Sequence, residues 1–271
     1  MTLSVADAGF AAASFAVCVV AGLIAKRATS RPLESVGGSP RYTWRVGLAF
    51  QAVVFPLVVA AAYWSWRASP SSWLSHGWHT DALLGGDGAS LATRLPLPAA
   101  VAEAMPFGSH RPFERLFCYI MLGYFMKDIM TPMDAVFVLH HVVSIATIVA
   151  VMAMPEGVGY FVSTAMALEV GSGILSWKNL KPTPWRWDVC VGVCTASNLA
   201  GMVLLLMFFT SPGEVDIMRG TLVFVGAALI IVRQLIAMSE WVDARWRSPV
   251  AGAAAVAAAD AAAATVKAHA Q

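Results

Sequence analysis

Long apolar stretches alternate with short polar connections along most of the chain. Seven of these stretches are long enough to be read as membrane-spanning helices, each of which needs about 20 apolar residues. They cover about residues 5–25, 44–66, 114–131, 134–154, 157–177, 187–210 and 217–240. The third is the weakest, because Lys127 and Asp128 lie near its end. Pro56 predicts a distortion inside the second helix, because proline removes a backbone hydrogen bond.

Composition agrees with a chain that places most of its surface in lipid. Hydrophobic residues make up 58% of the sequence and charged residues only 13%, against about 25% charged residues in a typical soluble domain. The net charge of +2 comes with no basic cluster, so no nucleic-acid partner is expected. The pattern predicts an all-α membrane protein with about seven transmembrane helices.

The four cysteines, Cys18, Cys118, Cys190 and Cys194, lie in or at the start of apolar runs, so we interpret them as small buried hydrophobic residues. Cys190 and Cys194 share a helix face, but a metal site needs two further ligands nearby. No metal and no cofactor is predicted.

Basic residues set the expected orientation, because cytoplasmic loops are enriched in lysine and arginine. They follow the first, fifth and seventh predicted helices: Lys26, Arg27, Arg31, Arg41, Arg45, Lys178, Lys181, Arg186, Arg245 and Arg247. This places the N-terminus on the lumenal side and the C-terminus in the cytosol. The first helix has Asp7 near its start and no basic segment before it. We therefore expect it to remain in the protein as a transmembrane helix and not to be cleaved off as a signal peptide.

The long connection at about 67–113 is then lumenal and rich in glycine, serine, proline and tryptophan. His76 and His79 are closely spaced there, which would suit a metal. A solvated loop with interfacial tryptophans is the favoured interpretation.

Polar residues from six different predicted helices lie at a similar depth. Their depth is counted from the cytosolic end of each predicted helix at 1.5 Å per residue. Five of them lie roughly 5–12 Å into the membrane, and Asn198 lies roughly 16 Å into it. The five are Gln51, Asp128, His140, Glu169 and Arg233. A charge that faces lipid costs about 2.5–3.5 kcal/mol, so these side chains should point towards each other or into a cavity.

His140 and His141 carry the strongest chemical signal, because ionisable residues at membrane depth are rare and mark functional sites by default. Consecutive helical residues point about 100° apart, so the two rings cannot aim at one atom. One is expected to contact a reacting group while the other bonds a neighbouring helix. Ser144 shares a helix face with His140, and Tyr124 shares one with Asp128.

A neutral imidazole can act as a general base or as a nucleophile towards an acyl group. Asp128 or Glu169 would then fix its tautomer, which suits acyl transfer from a thioester such as acyl-CoA. The alternative is a hydrogen-bond network that only holds the helices together. Arg233 could pair with Glu169 at matching depth, and a structural ion pair is favoured over a substrate clamp; alternatively, Arg233 could extend to the cytosolic interface. Asn198 with Thr195 is best explained by bonds between helices.

The segment 123–130, G-Y-F-M-K-D-I-M, followed by 138–145, V-L-H-H-V-V-S-I, resembles the TLC family of multi-spanning membrane proteins. The family pattern ends one helix with Tyr-Phe-x-x-Asp and places a His-His pair early in the next. Tyr124, Phe125, Asp128, His140 and His141 match it. A glutamate in the following helix with an asparagine ten residues later is typical of members other than ceramide synthases, and Glu169 with Asn179 fits that pattern.

The resemblance implies a six-helix TLC-type barrel around a lipid-chain cavity, with an extra N-terminal helix. It divides the chain into an N-terminal helix with a basic loop (1–40), a TLC-like helical domain (41–246) and an Ala-rich cytosolic tail (247–271). The fifth predicted helix lacks the Asp-x-x-Asp cluster of ceramide synthases. The chain therefore looks more like relatives assigned to lipid homeostasis, and the family implies the endoplasmic reticulum.

Two functions remain open from the sequence. The first is handling of lipid acyl chains, with acyl-CoA as a possible co-substrate of an acyltransferase. The second is a non-enzymatic adaptor, sensor or trafficking protein whose polar core is structural and whose protein partners bind on the cytosolic side. For the first, the expected catalytic residues are His140, His141 and Asp128; the expected substrate-binding residues are Tyr124, Ser144, Glu169, Asn198 and Arg233.

Overall fold

The described part of the chain is built of seven helical rods. The computed structural model describes residues 5–65, 112–153, 157–211 and 217–247. The first rod is α1 (Val5–Ala28), and the second, Arg41–Ser65, consists of α2 (Arg41–Ala49), a π-helical segment (Phe50–Val54) and α3 (Phe55–Ser65). The other rods are α4 (Pro112–Ile129), α5 (Ala135–Ala153), α6 (Val158–Leu180), α7 (Pro184–Thr210) and α8 (Ile217–Val242).

Six of these seven rods are long and apolar enough to cross a membrane, which confirms the prediction of an all-α integral membrane protein. The exception among the described residues is α4, the weakest stretch in the sequence. It carries four charged residues, yet Phe117, Tyr119 and Tyr124 on it are buried. This helix tolerates charge because α1, α3 and α5 pack against it. The predicted lumenal loop at 67–113 and the Ala-rich tail lie almost entirely outside the described residues.

The distortion predicted in the second rod takes the form of the π-helical segment just before Pro56. Proline has no N–H to bond the carbonyl of the preceding turn, and a π-helical turn is a frequent response to such an interruption. Gln51 lies within this segment and is buried. The distortion therefore helps to set the position of the amide that faces the polar site.

A short hairpin closes one end of the bundle. Its strands, β1 (Ser35–Val36) and β2 (Ser39–Pro40), are antiparallel, and the Gly37–Gly38 turn has positive φ angles of 53° and 77°. Gly38 accepts a hydrogen bond from the backbone N–H of Asp134, 3.0 Å away, and Gly37 lies against Asn179. The α1–α2, α4–α5 and α6–α7 connections thus meet at the same end.

Helix α6 lies at the centre of the second half of the bundle, against α2 and α7, and α8 packs on α7. Helix α5 packs mainly on α4 and makes few close approaches to α6 or α8. The space left between α5, α6 and α8 is where the larger of two cavities lies.

Candidate functional site

A polar cavity of about 540 Å³ lies next to the hairpin. Ser39, Thr43 and Trp44 line it on the hairpin side. Trp44 is fixed by an indole N–H that donates to the Val36 carbonyl at 2.7 Å and by an edge-on contact with Phe137. Four of the six residues of the predicted polar layer line this cavity, together with Tyr124 and His141; the four are Gln51, Asp128, His140 and Glu169.

His141 is the restrained member of the histidine pair. Its Nδ1 lies 2.5 Å from the Phe137 carbonyl oxygen, and its Nε2 lies 3.5 Å from Asp128 Oδ2. Both ring nitrogens therefore face acceptors, one in its own helix and one in α4. This agrees with the prediction that one histidine bonds a neighbouring helix.

Asp128 binds two partners with its two oxygens. While Oδ2 faces His141, Oδ1 lies 2.5 Å from Lys127 Nζ, and that ammonium group lies 4.9 Å from the centre of the Tyr124 ring. Asp128 and Lys127 are 5% and 4% exposed, so the pair is inside the bundle. The sequence assigns no role to Lys127, because a lysine near a helix end commonly extends to the interface.

His140 points in a different direction, as the 100° offset predicts. Its ring makes T-shaped contacts with Phe125 and His141, with centroids 6.1 and 5.4 Å apart. Within the described residues it makes no hydrogen bond or ion pair, and it lines both cavities. His140 is thus the histidine whose nitrogens are available to a ligand.

Glu169 enters the site from α6 and is 6% exposed. Gln51 lies within hydrogen-bonding reach of its carboxylate, and the Gln51 Oε1 accepts a hydrogen bond from Ser176 Oγ at 2.9 Å. The carboxylate oxygen Oε2 has no hydrogen-bond partner among the described residues. Glu169 lines both cavities, so it stands where they join.

The second cavity is larger, about 1030 Å³, and mainly apolar. It lies between α4, α5, α6, α7 and α8, and its wall includes Leu168, Leu205, Leu222 and Ile230. Its lining runs from Gly157, just before α6, to Ser172 on α6, a rise of roughly 22 Å at 1.5 Å per residue. The cavity therefore extends from the polar site towards the opposite end of the bundle and has the dimensions of an elongated apolar ligand.

The predicted substrate-binding residues divide between these spaces. Tyr124 lines the polar cavity, Ser144 and Arg233 line the apolar cavity, and Glu169 lines both. Asn198 lines neither: its Nδ2 donates to Gln234 Oε1 at 2.7 Å, and Gln234 Nε2 donates to Thr195 Oγ1 at 2.8 Å. Its placement fits the bond between helices that was the favoured interpretation of this residue.

Arg233 and Glu169 are both on the cavity wall, and the Arg233 charge acts on the Glu169 carboxylate, but no salt bridge joins the two. Arg233 instead forms a hydrogen bond with Cys194. It lies against α6 at Gly171, where the absence of a side chain leaves room for Nη2. The guanidinium is therefore held inside the bundle and does not extend to the interface. No single-residue signal could have shown this, because it depends on the packing of α8 against α6 and α7.

The cysteines are buried and free, as expected for small hydrophobic residues. Cys194 Sγ donates to the Gly171 carbonyl at 3.4 Å and lies 3.9 Å from Cys190 Sγ. Within the described ranges no group of three or more potential metal ligands occurs. His76 and His79 lie outside those ranges.

Comparison of the chain with models of protein families gives no match. Comparison with curated proteins and with solved structures gives no match either.

Proposed function

We propose that this membrane protein binds a lipid acyl chain in its apolar cavity, with the polar end of the lipid beside His140. The observation that carries the proposal is the junction of the two cavities. His140, Phe125, Glu169 and Ser172 line both, so an elongated apolar space ends at a group of polar side chains.

The resemblance to the TLC family supports the same proposal. The residues that match the family motif come from α4 and α5, and three of them, Tyr124, Asp128 and His141, meet at the wall of the polar cavity. We further propose that the end of the bundle that carries the hairpin and the basic residues around the ends of α1, α6 and α8 (the basic end) faces the cytosol. We also propose that the protein resides in the endoplasmic reticulum. The orientation follows the positive-inside rule, and the organelle follows from the resemblance.

A cavity-filling variant tests lipid binding. Thr147 lines the apolar cavity from α5, whereas Ala146 on the same helix is exposed on its outer face. Thr147→Trp should lower the lipid that co-purifies with the protein by roughly tenfold, equal to about 1.4 kcal/mol of binding free energy, because the indole occupies the site. Lipid extraction and mass spectrometry measure the amount bound per mole of protein.

Ala146→Trp is the matched control, because it adds the same side chain outside the cavity. It should retain the lipid of the wild-type protein. If folded Thr147→Trp carries as much acyl lipid as Ala146→Trp, the cavity is not the binding site.

Acyl transfer is a second candidate, favoured by the free position of His140. In such a reaction an imidazole nitrogen of His140 attacks the thioester carbonyl of acyl-CoA. The C–S bond breaks, and the coenzyme A thiolate leaves and takes up a proton. An acceptor hydroxyl or amine then attacks the acyl-imidazole, loses its proton and releases His140 unchanged.

His140→Ala should lower product formation from labelled acyl-CoA by about 10²–10⁴-fold while the lipid remains bound. The wild-type protein and His141→Ala are assayed in parallel with a range of lipid acceptors, and product is measured by chromatography. Equal product from wild type and His140→Ala would exclude catalysis by His140. Lipid binding by the wild-type protein without any turnover would favour the sensor or adaptor function.

A further inference from the structure

The ring of Phe208 lies at the end of the apolar cavity that is far from the polar site. Phe208 on α7 lines this end together with Gly157, just before α6, and Tyr160 in the first turn of α6. Further along the same helix, Glu169 lines both cavities. Phe208 therefore lies where a lipid tail would end if its polar end were beside His140.

Three neighbours hold the Phe208 ring in place. The ring lies over Gly157, where a β-carbon would overlap it, and packs on the Tyr160 ring at a centroid distance of 5.8 Å. The Arg219 guanidinium lies 5.3 Å from the centre of the Phe208 ring, and its Nη1 donates to the Ser211 carbonyl at 3.1 Å. Phe208 and Arg219 are 7% and 5% exposed, so this end of the cavity is closely packed.

The length of the cavity wall sets the length of the tail that fits. From Gly157 to Ser172 the wall rises roughly 22 Å along α6. A straight saturated chain advances about 1.3 Å per carbon, because its bonds of about 1.5 Å follow a zigzag. The space between the polar site and Phe208 therefore holds a tail of about 17 carbons. A longer tail would have to displace the ring, and closely packed interiors resist such a displacement.

We infer that Phe208 is a specificity-determining residue that limits the bound lipid to acyl tails about as long as those of palmitate and stearate. Its ring stops the tail at the far end of the cavity, so each further carbon must bend the tail or move the ring. This inference rests on the proposed function, because it assumes that the tail occupies the apolar cavity.

The test compares three fatty acids that share a head group and differ in tail length: laurate, palmitate and arachidate. Each competes with radiolabelled palmitate for the full-length protein in phosphatidylcholine nanodiscs. The probes are compared at equal mole fractions in the bilayer, so that their different partitioning into lipid cancels. The wild-type protein should bind arachidate roughly tenfold more weakly than palmitate, because the tail of arachidate is too long for the cavity. Laurate is the reference whose tail does not reach the ring.

A smaller side chain at position 208 should admit the longer tail. Phe208→Ala should bring the affinity for arachidate to within about twofold of that for palmitate and leave the affinity for laurate unchanged. Phe208→Leu should cause a smaller change in the same direction, and it replaces the alanine variant if that variant does not fold. Phe209→Ala is the matched control, because Phe209 is the next residue of α7, is 42% exposed and does not line the cavity. Its preferences should equal those of the wild type.

The outcomes separate this inference from the proposed function. Equal affinity of the wild-type protein for palmitate and arachidate would overturn the limit on tail length while leaving tail binding in place. An unchanged ratio of these two affinities in a folded Phe208 variant, or the same change in Phe209→Ala, would overturn the role of Phe208. Binding of none of the three fatty acids would overturn the proposed function as well.

Discussion

At the scale of single residues, Asp128 organises the polar site. Its carboxylate contacts Lys127 with one oxygen and His141 with the other, and all three residues are buried. His141 is thereby fixed on the wall of the polar cavity, whereas His140 lines both cavities and makes no hydrogen bond or ion pair with the described residues. Two adjacent histidines of one sequence motif thus have different surroundings and different roles.

Removal of the carboxylate charge should destabilise the protein strongly. Asp128→Asn leaves the Lys127 ammonium buried without its counter-ion, which typically costs about 3–5 kcal/mol. The free energy of unfolding in detergent micelles is the measurement. The double variant Lys127→Met/Asp128→Asn should recover part of the loss, because it also removes the uncompensated charge.

Asp188→Asn serves as the control for Asp128→Asn. Asp188 is exposed and lies 3.8 Å from the exposed Arg245, and surface pairs contribute only about 0–1 kcal/mol. A loss for Asp128→Asn no larger than that for Asp188→Asn would show that the buried pair is not structurally important.

At the scale of helices, the close crossing of α1 and α4 holds the N-terminal helix on the bundle. A β-carbon at Gly123 would lie 2.6 Å from the Phe15 nitrogen and 2.6 Å from the Ser14 carbonyl carbon. Small residues at such crossings let two backbones approach and gain packing energy, which is a common basis of helix association in membranes. The apolar pattern predicted both helices, but it could not predict that they cross at Gly123.

Gly123→Ala should therefore separate α1 from α4. The backbone of α1 must move to avoid the methyl group, so we expect a loss of about 1–3 kcal/mol in the free energy of unfolding. Gly192→Ala on α7 is the control, because no atom lies within 4 Å of the added β-carbon. It should be neutral or stabilising by up to about 1 kcal/mol from helix propensity. Equal stability of the two variants would contradict the close crossing.

At the scale of the whole molecule, one end of the bundle gathers the basic connections. The hairpin and the α4–α5 turn are joined there by the bond from Asp134 to Gly38, and Asn179 from the end of α6 lies against Gly37. Arg245 after α8 pairs with Asp188 near the start of α7 at the same end. The polar cavity lies at this end, so the orientation of the bundle decides which compartment its ligands come from.

Cysteine labelling of sealed membranes checks the proposed orientation. Ser30→Cys and Lys181→Cys replace exposed residues at the basic end, and Thr210→Cys replaces an exposed residue at the other end. The native cysteines are buried, so they should contribute little background. An impermeant maleimide added from the cytosolic side should label the first two variants and leave Thr210→Cys unlabelled. The reverse labelling pattern would show that the protein has the opposite orientation in the membrane.

The sequence by itself determined the class of fold and the seven helical rods of the described residues, because the length of an apolar stretch is a local property that lipid selects directly. It also predicted that the two histidines diverge and that Gln51, Asp128, His140 and Glu169 face inward. The observed helix bounds differ from the predicted ones by only a few residues. Exposure of a charge to lipid is penalised however the helices pack, so the depth pattern alone carried that prediction.

Only the tertiary structure decided which polar groups bond each other. Lys127 pairs with Asp128, Asn198 bonds Gln234, and the Arg233 guanidinium lies against Gly171. The apolar cavity arises because α5 packs on α4 and leaves space beside α6 and α8. These features depend on the rotation and spacing of whole helices, which result from side chains far apart in the chain.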